Sequence, residues 1–169
     1  MKDIKIYNVI FPIWFLLFFP PVIFVTLIGN FIIDSIVVIA CFYMFKLTKS
    51  EHKRKEFYKK SIVKVWLFGF LADILGAALL FITGMFGSEL GLSNELITGI
   101  NYDPFSQPLA VFIIIVAMLV SSVLIFYFNY RFTFQSIIEN KRLRLKVALT
   151  IAIVTIPWTF LLPTKWFYL

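Results

Sequence analysis

The sequence predicts an all-α protein, a polytopic transmembrane helical bundle, and three observations lead to that prediction. Hydrophobic residues make up 61% of the 169 residues, 15% are charged, and the mean hydropathy is +0.93, a composition outside the soluble class. The apolar stretches are continuous and flanked by charge, whereas a β-barrel would show alternating strands of about ten residues. The stretches between them are too short for a soluble domain. We therefore expect residues 1–169 to form a single transmembrane domain.

Five apolar segments are long enough to cross a bilayer, which takes about 17 to 25 helical residues. The second and the fifth are the shortest, and Gly29-Asn30 and Pro163, residue types that favour turns, bound them. The first apolar stretch is too long for the core of a cleavable signal peptide, so we expect it to be retained. The predicted spans are residues 7–27, 31–47, 62–87, 108–130 and 146–163.

The first segment allows two topologies because three prolines interrupt it, and a proline inside a helix removes a backbone hydrogen bond. In the favoured topology residues 7–27 span as a kinked helix with a tight turn at Gly29-Asn30, which gives five spans. In the alternative, residues 7–19 form an N-terminal re-entrant half-helix before one long span over residues 21–46, which gives four. The proline pair marks either a kink covered by neighbouring helices or the edge of a cavity. The prolines are Pro12, Pro20 and Pro21.

Charge predicts how the bundle lies in the membrane. Most of the 16 Lys and Arg residues fall in two basic loops, residues 46–64 and 131–146, and two more are Lys2 and Lys5. The outer loop of residues 88–107 has acidic residues and no basic ones. Because basic loops favour the cytoplasmic side, we expect a multi-pass protein of a bacterial plasma membrane, with the N-terminus cytoplasmic and the C-terminus outside.

The basic loops also predict partners. Segment 46–64 alternates basic and apolar residues, so we expect a helix on the inner leaflet that binds anionic lipids of the bilayer. These charges lie against a membrane and match no recognised nucleic-acid module, so we expect no nucleic acid as a partner.

Two acidic residues inside apolar segments are the main functional candidates. Asp34 lies ~18 Å from Lys46 along its helix and Asp73 lies ~13.5 Å from Lys64, at 1.5 Å per residue. Segments joined by a short loop are usually neighbours, so we expect the two carboxyl groups to meet in one polar pocket and to share a proton. Asn30, one turn before Asp34, or a neighbouring helix is expected to support Asp34. Both acids either fix helix packing or serve transport or partner binding.

Two further sets of residues are candidates for contacts. Gly69, Ala72, Gly76 and Thr83 are predicted to form a helix-packing face, either within the bundle or in a homo-oligomer. In the outer loop, Tyr102 and Asp103 are predicted either to contact a partner protein or small cation or to belong to a plain connection.

No enzyme is expected, because HExxH, GxSxG, Walker A and CxxC motifs do not occur in the sequence. We therefore predict no catalytic residue, metal ligand or cofactor. A cysteine peptidase would need Cys41 beside His52 in the fold. The two residues are eleven positions apart in the sequence, and this spacing alone does not bring them together.

Two functions remain. The first is an accessory or interaction protein that packs with another membrane component, and the alternative is a small proton- or cation-coupled carrier or channel that uses Asp34 and Asp73. Acids that converge on a cavity favour the carrier, and acids that are capped by neighbouring backbone favour the accessory protein.

Overall fold

The computed structural model describes residues 12–20, 22–47 and 54–167, and every regular element in these ranges is helical. The all-α prediction is therefore confirmed. Helix α5 continues into a π-helical segment, Asn129–Thr133, and short 3₁₀ turns occupy Pro104–Ser106, Trp158–Leu161 and Thr164–Trp166. The α-helices are α1 (Ile13–Leu16), α2 (Val22–Met44), α3 (Arg54–Phe86), α4 (Asn94–Asn101), α5 (Pro108–Phe128) and α6 (Lys141–Val154).

Four stretches in the described residues are long and apolar enough to cross a membrane, namely Val22–Met44, Arg54–Phe86, Pro108–Thr133 and Lys141–Leu161. Their length and composition place the chain among helical membrane bundles and are compatible with a multi-pass protein.

The expected turn at Gly29-Asn30 is wrong, because α2 runs through both residues without interruption. A single glycine does not end a helix in an apolar environment, since its backbone groups would have no other partners there. The interruption comes earlier, between Leu16 and Val22, where the sequence has Pro20-Pro21. One long helix in this region agrees with the four-span alternative. Residues 7–11 and 21 of the predicted first span lie outside the described residues.

One end of the bundle, which we call the basic end, joins the end of α2, the start of α3 and residues 129–144. Phe57 of α3 stacks on Phe134 with ring centroids 5.9 Å apart, and Phe42 of α2 lies 5.5 Å from Phe57. Residues 54–64 are thus the first turns of α3. Phe57 and Ile62 of these turns are buried, whereas Val63 is exposed, and the expected contact of this segment with anionic lipids stays a prediction.

The opposite end, which we call the acidic end, joins α4, residues 86–107 and both ends of the described chain. The backbone N–H of Ile13 donates to Thr164 Oγ1 at 2.9 Å, and Trp14 Nε1 donates to the carbonyl of Ile100 at 3.3 Å. The first and last described residues therefore lie at the same end of the bundle. The expected placement of the N-terminus in the cytoplasm and the C-terminus outside stays a prediction, because it relied on Lys2 and Lys5, which lie outside the described residues.

Helices α3 and α5 pack closely at the centre of the bundle. Ser121 Oγ of α5 donates to the carbonyl of Ala72 at 3.1 Å. A Cβ atom at Gly76 would overlap Ser121 Oγ and would lie 3.2 Å from the carbonyl oxygen of Ala117. A glycine is therefore required for this approach of two helices. On the other side of α5, Ser122 Oγ donates to the carbonyl of Ala152 of α6 at 2.9 Å.

Candidate functional site

A cavity of about 160 Å³, which we call the carboxyl cavity, lies between α2, α3, the α1–α2 interruption and the segment that follows α6. Its described lining residues are Leu17, Phe18, Thr26, Asn30, Ile33, Asp34, Gly69, Phe70, Asp73, Val154, Thr155, Ile156, Pro157, Trp158, Thr159 and Phe160.

Both intramembrane acids line this one cavity. Asp34 is 5% exposed, and Asp73 Oδ1 is buried without a hydrogen-bond partner among the described residues. In the described ranges no hydrogen bond or ion pair reaches either carboxyl group. Asn30 lines the same cavity, but no hydrogen bond joins it to Asp34 in the described ranges. Of the two supports expected for Asp34, Asn30 and a neighbouring helix, the structure places the carboxyl group beside Gly69 of α3.

The pairing of α2 with α3 sets the positions of the two acids. Trp66 Nε1 of α3 donates to the carbonyl of Leu27 at 3.0 Å, and Ser35 Oγ lies 2.9 Å from Tyr58 Oη, so the two helices run antiparallel. Asp34 then faces Gly69, where an added Cβ atom would lie 3.7 Å from Asp34 Oδ2. The Asp34 carboxyl group therefore lies against α3 at this position.

An interrupted helix forms the first wall of the carboxyl cavity. Leu17 and Phe18 follow α1, and the Thr26 hydroxyl group shares its one proton between the carbonyl of Leu17 at 2.9 Å and that of Val22 at 2.8 Å. A carbonyl that the interruption leaves without a helical partner is therefore satisfied by a side chain, as membrane depth requires. Thr26 was not among the residues predicted from the sequence, although its place shortly after three prolines is a signal that could have found it.

A second interrupted segment forms the opposite wall. Helix α6 ends at Val154, and a 3₁₀ turn begins at Trp158 after Pro157, which has no N–H to continue the helix. The cavity is lined by residues 154–160 from this region. The end of this span was predicted at Pro163. That prediction did not use Pro157, the proline that accompanies the interruption of the helix.

The chemical groups around the carboxyl cavity favour positive charge. Its described lining contains two acids, the rings of Phe18, Phe70, Trp158 and Phe160, and no Lys, Arg or His. Two negative charges would repel each other in such apolar surroundings. The cavity is therefore suited to hold protons or a cation beside the carboxyl groups.

The residues of the predicted packing face point in different directions. Gly69 faces Asp34, whereas Ala72 and Gly76 face α5. Thr83 Oγ1 donates to the carbonyl of Leu79 in its own helix at 2.8 Å. The structure therefore places part of this set beside the carboxyl cavity and part between α3 and α5.

The two outer-loop candidates hold the C-terminal segment. Asp103 Oδ2 accepts a hydrogen bond from Lys165 Nζ at 2.6 Å, and the Tyr102 carbonyl accepts one from the Lys165 backbone N–H at 3.2 Å. Both contacts lie within the chain at the acidic end.

The groups considered for catalysis or metal binding do not meet in the described part of the chain. Cys41 is buried in the core of the basic end, and His52 lies outside the described residues. No cluster of three His, Cys, Asp or Glu residues that could hold a metal occurs within residues 12–20, 22–47 and 54–167.

Comparisons of the chain with protein-family models, with curated proteins and with solved structures found no match. The carboxyl cavity is therefore the basis on which a function is inferred.

Proposed function

We propose that the protein is a membrane carrier that exchanges protons for a monovalent cation at Asp34 and Asp73. One observation carries the proposal: both carboxyl groups line a single cavity inside the bundle without a basic partner among its described lining residues. Intramembrane acids are costly to insert and are most often functional. Two acids that served only to fix helix packing would be expected to have hydrogen-bond partners, whereas Asp73 Oδ1 has none in the described ranges.

The exchange follows from charge balance in the carboxyl cavity. Asp34 and Asp73 are the titratable groups of its described lining, so their negative charge is neutralised either by protons or by a bound cation. Because the two occupants compete, the arrival of a cation releases a proton and the arrival of a proton releases the cation. This competition couples a proton gradient to cation movement, and the chemistry needs no covalent step.

The orientation that suits this function places the basic end in the cytoplasm of a plasma membrane. Exposed residues Arg131, Lys141, Arg142 and Lys146 at this end would contact anionic headgroups, each contributing ~1 kcal/mol near the surface. Ile13 and Thr164 would then lie at the outer side.

Proton flux in liposomes tests the proposal. The purified full chain is reconstituted with a trapped pH dye and an acidic interior, and Na⁺, K⁺ or phenyltrimethylammonium chloride is added outside. We expect at least one cation to raise the internal pH faster than in protein-free liposomes. Asp34→Asn and Asp73→Asn should reduce the rate to that background.

The matched control is Glu139→Gln, which removes the negative charge of an exposed acid at the basic end and should keep the wild-type rate. Absence of proton flux with all three cations would contradict the carrier. If tagged protein from native membranes then retained a stoichiometric partner that both Asn variants lose, the accessory role would be the better account.

A further inference from the structure

We propose that the cation of the carboxyl cavity is a small organic ammonium ion with one ring-sized apolar group, which enters from the lipid-facing side. This proposal rests on the proposed function, because the same two carboxyl groups bind the cation. It adds the chemical class of the substrate and its route.

The first reason is the aromatic lining. Phe18 and Phe70 lie with ring centroids 5.7 Å apart, and Trp158 and Phe160 line the same cavity from the interrupted segment after α6. Ring faces attract ammonium groups, and aromatic cages beside negative charge recognise quaternary ammonium ligands. Four rings and two carboxyl groups therefore fit an organic cation.

A metal ion fits the described lining less well. Hard cations such as Ca²⁺ and Mg²⁺ take about six or more oxygen ligands. Besides the two carboxyl groups, the lining side chains offer the amide oxygen of Asn30 and the hydroxyl groups of Thr26, Thr155 and Thr159. The hydroxyl groups of Thr26 and Thr155 already donate to backbone carbonyls. Much of the remaining surface is hydrocarbon, which can contact an alkyl or aryl group but provides no ligand for a metal ion.

The second reason is size. The volume of about 160 Å³ is close to that of an apolar cavity of ~150 Å³ that takes up benzene. One ring fits within such a space, and the charged nitrogen would lie between Asp34 and Asp73.

The third reason is access from the side of the bundle. Ile33, Val154 and Trp158 line the cavity and are also 49%, 50% and 64% exposed on the outer surface. A single layer of side chains therefore separates the cavity from the surface that faces lipid. A cation with an apolar group can approach through lipid, whereas a bare metal ion cannot.

Binding is expected to release protons with simple stoichiometry. If the carboxyl pair holds one proton when empty, the ammonium ion takes the place of that proton, which passes to water. The charge of the cavity is then unchanged, and one proton is released for each cation bound.

The experiment measures this release with the full chain in detergent, in weakly buffered solution with a pH dye. Phenyltrimethylammonium is titrated against the protein, with tert-butylbenzene as a neutral compound of the same shape and NaCl at matched ionic strength. We expect saturable proton release with phenyltrimethylammonium, and none above baseline with the neutral compound or with Na⁺.

Variants then test the two kinds of contact. Asp34→Asn and Asp73→Asn should abolish the proton release, and Glu139→Gln should leave it unchanged. Trp158→Leu should weaken the apparent Kd about two- to thirty-fold, as the loss of one cation–π contact implies. Because Trp158 is largely exposed, its replacement leaves the packing of the bundle intact.

The outcomes distinguish the two proposals. Proton release by Na⁺ but not by phenyltrimethylammonium would overturn the organic-cation proposal and leave proton–cation exchange standing. Proton release by neither cation would count against both. An unchanged Kd in Trp158→Leu would show that the ring does not recognise the cation and would overturn the proposed aromatic recognition.

Discussion

At Gly76 the packing of α3 against α5 leaves no room for a larger side chain. We expect Gly76→Ala to destabilise the bundle by about 1–3 kcal/mol, the usual cost of overpacking, because the new methyl group would overlap Ser121 Oγ and press on the Ala117 carbonyl. The measurement is the unfolding temperature, Tm, of the purified chain in one fixed detergent.

Two matched variants separate overpacking from a general effect of alanine. A methyl group added at Gly29 would have no neighbouring atom within 4 Å. Alanine stabilises a helix by ~0.5–1 kcal/mol relative to glycine, so Gly29→Ala should raise Tm slightly. The double variant Gly76→Ala with Ser121→Ala should be more stable than Gly76→Ala alone. A Tm for Gly76→Ala equal to that of wild type would contradict this account.

The depth of Asp34 and Asp73 could be worked out from the sequence, because position along a helix follows from residue number at 1.5 Å per residue. Their surroundings could not. In a chain that is apolar on all sides, lipid-facing and helix-facing residues look alike, so the sequence does not say which way each carboxyl group points. Residues 154–160 complete the cavity from more than eighty positions further along the chain, and such a contact leaves no local pattern.

Among the elements, the interruption between α1 and α2 depends most clearly on one side chain. We expect Thr26→Val to lower stability by about 1–2 kcal/mol, because the Leu17 carbonyl would lose the hydroxyl group that satisfies it. Valine keeps the shape of threonine, so packing at this position should change little. Tm in a fixed detergent again measures the effect.

The control for this prediction is Thr83→Val. Thr83 Oγ1 bonds only to the Leu79 carbonyl one turn earlier in the described structure, and that carbonyl belongs to a continuous helix. Its replacement should therefore cost less than that of Thr26. Equal effects for the two variants would mean that the Leu17 hydrogen bond contributes nothing.

Helix boundaries were harder to predict than the class of fold. Continuous apolar composition is a strong signal for spanning helices, and the all-α bundle followed from it. Gly29 was expected to end a helix, yet the helix continues through it, whereas Pro157 ends α6 within a predicted span. The physical difference is that glycine keeps its backbone N–H, and proline lacks one.

At the scale of the whole molecule, the four stretches of the described chain that are long enough to cross a membrane follow Ile13, and Ile13 meets Thr164 at the acidic end. We expect single cysteines at position 89, at the acidic end, to react with a membrane-impermeant maleimide in intact cells. Cysteines at position 139, at the basic end, should react only after the membrane is opened. Both replacements are made in a Cys41→Ala background, because Cys41 is a native thiol.

The reverse labelling pattern would place the basic end outside and overturn the proposed orientation. Labelling of both positions in intact cells would mean that the two ends do not lie on opposite sides of a membrane. Glu89 and Glu139 are both exposed, so differences in burial would not produce these patterns.

The length of α3 determines how far into the electric field of a membrane Asp73 would lie. Its apolar part, from Val65 to Phe86, is ~33 Å long, close to the ~30 Å of a hydrocarbon core, and Asp73 lies ~12 Å from Val65 along the axis. A positive charge that moves between the acidic end and Asp73 thus crosses nearly two-thirds of the electric field, which at 100 mV amounts to ~1.5 kcal/mol. In the proposed exchange one cation moves in as one proton moves out, so the two contributions cancel when both ions use the same end. Voltage would then leave the occupancy of the carboxyl cavity unchanged, and the proton and cation gradients alone would set it.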